Sequence, residues 1–423
     1  MSTPTVEAPG SVLREGAFGN AVELVCRECG ATTALGPSYA CSECFGPLEV
    51  GYRFPAVTRA TIEAGPKNIW RYQPLLPVPT DIASSPNTEP GFTRLIRADN
   101  LARELGMRRL WVKDDSGNPT HSFKDRVVAV ALSAARELGS TVFACPSTGN
   151  LANAVAAAGA RAGMKTVVFI PADLERAKVL TTAVYGGTLI AVNGNYDDVN
   201  RLASEIAGER EGWAFVNVNV RPFYAEGSKT LGFEVAEQLG WRLPRQVVIP
   251  VASGSQLTKV DKAFTELVRL GLVEEAPYSI FGAQATGCAP VAAAFKQGHD
   301  VIRPVKPDTI AKSLAIGNPA DGPYVLDVVR RTGGAVEDVS DEEVRDGIQL
   351  LARTEGVFAE TAGGVTVATL KKLVESGLLD PDEETVVFNT GDGLKTLDAV
   401  ADRVGPAATI DPSYDAFSAT GLV

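Results

Sequence analysis

Lys124 closes the segment Gly117-Asn-Pro-Thr-His-Ser-Phe-Lys124 and is followed by Asp125-Arg126. A β-branched run ends just before it at Val112-Lys113, and a helix-periodic apolar stretch begins with it. The Gly/Pro turn predicts that Lys124 lies in the first turn of a helix, where the positive end of the dipole disfavours a charged amine. An amine held in this way suits nucleophilic attack on a carbonyl. The alternative is a surface lysine paired with Asp125. Three more strand-to-helix junctions carry small polar residues: Pro146-Ser-Thr-Gly-Asn150, Val251-Ala-Ser-Gly-Ser-Gln256 and Asn389-Thr-Gly-Asp-Gly-Leu394. The hydroxyls and backbone N–H groups of the first could hold a carboxylate or phosphate, and those of the second could cradle a phosphate. Signals for other chemistries are weaker. With His121 and His299 as the only histidines, a three-histidine zinc site cannot form. Gly227-Ser-Lys-Thr230 lacks the full P-loop pattern, and Gly391-Asp-Gly393 lacks the third glycine of a dinucleotide fingerprint. The reaction therefore falls to lysine, a carboxylate or a cofactor.

A second cluster has metal chemistry. Cys26-Arg-Glu-Cys29 and Cys41-Ser-Glu-Cys44 are two C-x2-C pairs, the spacing of tetrahedral thiolate zinc. Gly30 and Gly46 supply the permissive backbone that tight metal knuckles need. Four thiolates leave no open coordination position, so the role is structural. The alternative is a ribbon that has kept its fold and lost its metal.

The elements that must position these residues follow a rhythm. From about residue 92, near-continuous apolar runs such as TVFACPS, TVVFIP, QVVIPVAS and TVVFNT alternate with amphipathic stretches, the last of them GLKTLDAVADRVG. This pattern predicts parallel sheets covered on both faces, arranged as two doubly wound α/β/α domains with a cleft between them. In such sheets the junctions lie at the carboxyl ends of the strands, where ligands bind. Gln73-Pro-Leu-Leu-Pro-Val-Pro79 and Ser84–Gly91 are read as a Pro-rich connector, and the chain from Pro406 as a loosely held tail. Forty Lys and Arg against 51 Asp and Glu give a net charge of −11, the wrong sign for a nucleic-acid binder. No stretch approaches the ~20 apolar residues of a membrane span, and the start lacks a secretory signal, so a cytoplasmic protein is expected.

Asn118-Pro-Thr-His-Ser-Phe-Lys-Asp-Arg126 resembles the N-P-T-G-S-F-K-D-R segment of the threonine synthase family. These are pyridoxal-phosphate enzymes of fold type II, the tryptophan synthase β-like fold. The resemblance runs from Cys26 to about residue 400. It includes Gly46-Pro-Leu-Glu-Val, Ser147-Thr-Gly-Asn150, Glu226-Gly-Ser-Lys-Thr230, Ile316-Gly-Asn-Pro319 and Thr390-Gly-Asp-Gly-Leu-Lys395. It implies that Lys124 carries the cofactor aldehyde, that Asn150 bonds the ring hydroxyl and that Thr390 stands beside the ring nitrogen. By the same resemblance Ser253, Gly254, Ser255 and Gln256 form the cofactor-phosphate loop, and Ser147 and Thr148 receive the substrate carboxylate. The implied substrate is O-phospho-L-homoserine, and the implied assembly a homodimer. Related chemistries are a β-replacing enzyme on O-phosphoserine, such as cysteate synthase, and a serine/threonine dehydratase. A rival from another class is a zinc-ribbon nucleotide-binding module.

The chain also departs from the family pattern. His121 replaces a glycine, Glu360-Thr-Ala-Gly-Gly stands where Glu-Pro-Ala-Ser is common, and Arg221 sits earlier than in the bacterial form. His121 either lines the cleft or is a turn residue. A dianionic leaving group in an acidic protein needs a local cation, and Lys113, Arg221 and Lys229 are the candidates. The expected organisation is an N-terminal extension over 1–60 containing the zinc-ribbon-like segment, a large domain from 61–122 and 236–405, a small domain over 123–235, and a tail over 406–423.

Overall fold

The computed structural model describes residues 14–38, 40–81, 88–147, 149–174, 176–194 and 196–422. Their strands are β1 (Ala21–Cys26), β2 (Thr32–Thr33), β3 (Leu48–Tyr52), β4 (Arg94–Arg97), β5 (Arg109–Asp114), β6 (Val142–Pro146) and β7 (Lys165–Pro171). They continue with β8 (Thr188–Val192), β9 (Trp213–Phe215), β10 (Gln246–Pro250), β11 (Ser279–Ala285), β12 (Val336–Val339) and β13 (Glu384–Asn389). Three sheets result, ordered β2-β1-β3, β12-β11-β10-β13-β5-β4 and β8-β7-β6-β9. The first is antiparallel and the last parallel; the middle one is parallel except for its edge strand β4.

The apolar runs become strands because both of their faces are covered. Every residue of β10 and β13 is buried. Along β10, Val247 and Ile249 enter one core and Val248 the opposite one, as the period-two geometry of a strand requires. The helix Ser255–Arg269 covers the first face, and Thr361–Glu375 the second. In the four-stranded sheet, Phe143 and Cys145 face the helices Lys124–Glu137 and Asn150–Ala162, while Val142 and Ala144 face the other side. Leu24, Cys26 and Val50 of the small antiparallel sheet join the Phe143 core, so the cysteine-rich segment packs on the body of the protein.

Two stretches differ from the sequence reading. Gln73–Pro79 is no loose connector: Leu75, Leu76 and Val78 are fully buried, and the Leu75 carbonyl accepts from Lys229 Nζ at 2.8 Å. The prolines remove backbone donors, which lets an irregular segment run through the core with few N–H groups to satisfy. Part of the second Pro-rich stretch, residues 84–87, lies outside the described residues. After β13, GLKTLDAVADRVG does not form a long helix. It makes a 3₁₀ segment over Gly393–Ala399 kinked at Thr396, with Leu394 and Leu397 exposed. Of its apolar side chains Ala399 and Val400 reach the core whereas Leu394 and Leu397 do not, so the core-facing stripe is too short for helical periodicity alone to sustain a helix.

A buried ionic hub ties the sheets together. Arg126 bonds Asp115 (Nε to Oδ2, 2.7 Å) and Glu234, and Lys113 Nζ bonds Glu234 Oε2 at 2.6 Å. Burial raises the Glu234 carboxyl, but Arg126 and Lys113 together outweigh it and hold the group down at about 2. A depressed acid stabilises the fold above its unfolded value. That contribution is therefore lost as pH falls from about 4.5 toward 2. Glu234→Gln leaves two buried cations short of a counter-charge and is expected to destabilise by roughly 3–5 kcal/mol, read by denaturant unfolding. A loss below about 1 kcal/mol would show that the hub contributes little.

Candidate active site

Adjacent strands β5 and β13 end together, with Asp114 paired to Asn389, and β10 runs beside β13. The loops that follow β5, β10 and β13 therefore leave the same edge of one sheet. The loops before Lys124 and after β13 are also stitched to each other. Phe123 N–H donates to the Thr390 carbonyl at 3.0 Å, Asp392 N–H to the His121 carbonyl at 3.1 Å, and Ser122 bridges Gly391. Lys124 begins its helix, as expected, with no side chain capping it. Its half-buried Nζ donates to the Tyr224 hydroxyl at 2.9 Å and sits 4.6 Å from the centroid of the Phe123 ring.

Asn150 and Thr390 come together through a residue to which the sequence reading gave no role. The Glu360 carboxylate accepts from Asn150 Nδ2 at 2.9 and 3.1 Å and from Thr390 Oγ1 at 3.4 Å. Glu360 N–H donates to the Gly391 carbonyl, and a Cβ on Gly391 would lie 2.5 Å from a Glu360 oxygen, so a side chain there would displace the carboxylate. Burial pushes the Glu360 carboxyl up. Two further groups share this region electrostatically. Burial raises Asp125 to about 6 although Thr120 donates to it, and it pulls the Lys395 amine down. Lys395 Nζ is buried without a hydrogen-bond partner, within the fields of Glu360, Asp125 and Asp392. The cluster therefore brings together one amine, Lys395, and two acids, Glu360 and Asp125, that burial biases toward their neutral forms.

The loop after β10 is a second cradle. Gly254 precedes the helix Ser255–Arg269 at φ 100°, a left-handed conformation that suits glycine, and no side chain caps that helix. A Cβ there would lie 2.6 Å from Val325 Cγ2. The buried Gln256 Nε2 has no partner. Free N–H groups at a helix start and an orphaned amide donor together match a phosphate. Ser147 is buried at the end of β6, next to Gly149 and Asn150; Thr148 lies outside the described residues. His121 is exposed at φ 61°, with Nδ1 3.3 Å from the Ser116 carbonyl, and occupies a turn position that glycine adopts without strain.

The three proposed cations divide. Lys113 belongs to the Glu234 hub and Lys229 to a second buried cluster, where its Nζ lies 2.8 Å from Glu226 and 2.9 Å from Glu266. Both side chains are fully buried and spent on carboxylates, so the structure does not bring them to the cleft. Arg221 begins the helix Arg221–Glu226. Its Nη2 bonds Asp321 Oδ2 at 2.6 Å, its side chain is 26% exposed, and the Asp321 N–H donates to the Ser253 carbonyl. Arg221 is thus one residue removed from the cradle, with an edge still open to a ligand.

The thiol groups of Cys26, Cys29, Cys41 and Cys44 lie within 4.8 Å of one another. Sγ–Sγ separations of 3.4 Å for Cys26–Cys44 and 3.7 Å for Cys29–Cys41 approach the ~3.8 Å edge of a tetrahedron with ~2.3 Å Zn–S bonds. Backbone N–H groups of Glu28, Glu43 and Gly46 point at three of the sulfurs at 3.4 Å. The donor set fits zinc. Protein prepared without chelator is expected to carry about one zinc per chain, absent from a Cys41→Ser/Cys44→Ser variant that loses activity through stability. Metal analysis that finds none in the parent protein would leave the empty-ribbon reading.

Glu360, Lys395 and Tyr224 were not assigned functional roles from sequence. Glu360 and Lys395 lie in recognisable motifs, whereas nothing local marks Tyr224, whose contact with Lys124 spans 100 residues.

Comparison with known proteins agrees with this geometry. Residues 87–391 match the family model of pyridoxal-phosphate dependent enzymes. The chain is 38% identical over 380 residues to a threonine synthase of Methanocaldococcus jannaschii, covering 88% of this chain and 93% of the relative. It is 36% identical over 398 residues to a threonine synthase of Methanosarcina acetivorans, covering 93% and 97%. Among solved structures, it resembles an L-serine ammonia-lyase from Rhizomucor miehei with TM-score 0.62 and 22% identity, over 74% of this chain and 98% of that one. The processed form of threonine deaminase isoform 2 from Solanum lycopersicum gives TM-score 0.61 and 21% identity, over 74% and 88%. At such identities the structural likeness establishes the fold alone, which is fold type II.

Proposed function

Because the chain belongs to the pyridoxal-phosphate dependent enzymes, and among them to the threonine synthases, we propose that it converts O-phospho-L-homoserine and water into L-threonine and inorganic phosphate. The observation that carries this reading is the placement of Asn150 and Thr390 on one buried carboxylate, in a loop hydrogen-bonded to the one that leads into Lys124. Lys124, Asn150, Thr390 and the Ser253–Gln256 loop would hold the cofactor. When bound, it supplies an electron sink that stabilises negative charge on carbons beside the substrate amine. Thr390 offers the ring nitrogen a neutral hydroxyl rather than a carboxylate, which moderates that sink and favours chemistry at the side chain.

Lys124 is the proton carrier. Its amine takes a proton from Cα and then one from Cβ, so that phosphate leaves from Cγ with its bonding electrons. One proton returned to Cγ makes the methyl group, water adds its hydroxyl at Cβ while its other proton goes to the departed phosphate, and the second proton returns to Cα. Tyr224 holds the amine through the 2.9 Å bond and so directs it along the substrate chain. Ser147 receives the substrate carboxylate. Arg221 uses its exposed edge for the leaving phosphate.

The three sheets support dividing the chain into the extension over 1–60, the large unit from 61–122 and 236–405, the small unit over 123–235 and the tail. Cysteines arranged as a thiolate metal-ligand set rather than as disulfides support a reducing, cytoplasmic setting. Among the described residues no helix is long and apolar enough to cross a membrane. Exposed apolar side chains at Ile410, Tyr414 and Phe417 support a homodimer, which light scattering tests. For the activity itself, phosphate release from phosphohomoserine is expected to exceed release from phosphoserine by orders of magnitude. Preference for phosphoserine would replace this reading with a β-replacing enzyme.

A further inference from the structure

The metal knuckle and the loop assigned to the cofactor phosphate are distant in sequence and joined in space. Arg27 and Glu28 fill the two positions between Cys26 and Cys29. The Arg27 guanidinium carbon lies 3.5 Å from the centroid of the Tyr324 ring, and its Nη1 is 3.5 Å from Asp321 Oδ1. The Tyr324 hydroxyl donates to Glu28 Oε1, so the knuckle grips one helix start with both of its inner residues. Asp321 in turn supports the loop. Its second oxygen takes Arg221, its N–H donates to the Ser253 carbonyl at 2.9 Å, and a Cβ on Gly254 would lie 3.1 Å from it. The Asp321 side chain is 8% exposed and that of Arg27 19%, so this contact is shielded from the screening that weakens surface ion pairs.

The geometry points to Arg27 as a positioning residue for the cofactor-phosphate loop. The metal-folded knuckle holds Arg27 on Tyr324 and Asp321, and Asp321 fixes Ser253 and Gly254 in the shape that receives a phosphate dianion. The inference rests on the assignment of residues 253–256 to the cofactor. The direction of Arg27 is set by the backbone between two metal ligands, so metal binding and cofactor binding stabilise the same arrangement. Each then raises the affinity for the other by the same factor.

The test uses full-length protein stripped of cofactor with its zinc retained. It is titrated with pyridoxal phosphate and followed by the borohydride-sensitive visible band and by the ³¹P resonance of the bound cofactor. Arg27→Ala is expected to weaken cofactor binding about tenfold and to shift the ³¹P resonance, with Arg27→Lys recovering part of both. A role confined to anchoring the ribbon would lower the melting temperature and leave affinity and resonance unmoved, and that result overturns the inference. Should Arg27→Ala shed its metal, Asp321→Asn carries the test, because it leaves the knuckle intact: an equal loss of affinity supports the proposal and an unchanged one overturns it. Removing zinc should weaken binding by the wild-type protein but add little in Arg27→Ala; an equal effect in both would show that the coupling does not run through Arg27. A wild-type protein that binds no pyridoxal phosphate would defeat the assignment of the loop itself, a result distinct from normal binding by the variants.

Discussion

Lys124→Ala is expected to abolish turnover, by about four powers of ten or more, while the protein stays folded. The lysine is the first residue of its helix, half-buried, and its amine makes one side-chain hydrogen bond, to Tyr224. Truncation removes the carrier of every proton transfer in the proposed reaction but opens no cavity among the apolar side chains, which lie further along the helix from Val127 onward. Phosphate release measures the first effect. The second is measured by the melting temperature, and the visible band of the cofactor-loaded protein should no longer respond to borohydride. A variant that keeps most of its activity would overturn the mechanism, whereas an unfolded variant would show that the helix start carries stability as well. Lys124→Arg separates these outcomes, since it keeps a cation at the position and offers no nucleophilic amine.

Arg221→Ala is expected to lower phosphohomoserine turnover by about two to three powers of ten, as the loss of a preorganised contact to developing charge does. The guanidinium fork suits phosphate oxygens, and the burial of Lys113 and Lys229 in ion pairs leaves Arg221 as the member of that set able to reach a ligand. Asp321 orients the fork from its other edge. At saturating cofactor the variant should load fully, which separates a substrate-phosphate contact from the support of the cofactor loop. Near-normal kinetics would remove Arg221 from the site and direct attention to Lys395, whose buried amine has no hydrogen-bond partner.

Much of the architecture was legible because it depends on local pattern. Apolar runs such as QVVIP have no solvent face to offer, so only a doubly covered sheet accommodates them. The glycine at 254 is likewise written in residue type, because few residues tolerate its left-handed backbone conformation. Two C-x2-C pairs four residues long carry their own metal geometry, and the sulfurs converge accordingly. Local pattern misled where tertiary contacts outweighed it. GLKTLDAVADRVG has helical periodicity but puts only Ala399 and Val400 against the core and leaves Leu394 and Leu397 exposed, and Gln73–Pro79 has the composition of a connector but lies in the core.

The amino-acid sequence sufficed for the fold class, the lysine at its helix start and the convergence of four cysteines whose spacing suits a metal. Each of these follows from interactions within a few residues or from the covering of a single element. The tertiary structure alone decided which charges are free. Lys113, Arg221 and Lys229 look alike in sequence, yet Glu234, Asp321 and the Glu226–Glu266 pair reach them from distant elements and commit each differently. It also placed Tyr224 on Lys124, Glu360 between Asn150 and Thr390, and the metal knuckle on Asp321. The physical reason is that a charge buried on folding must find its partner through space, and the partner is chosen by how helices and sheets dock rather than by spacing along the chain.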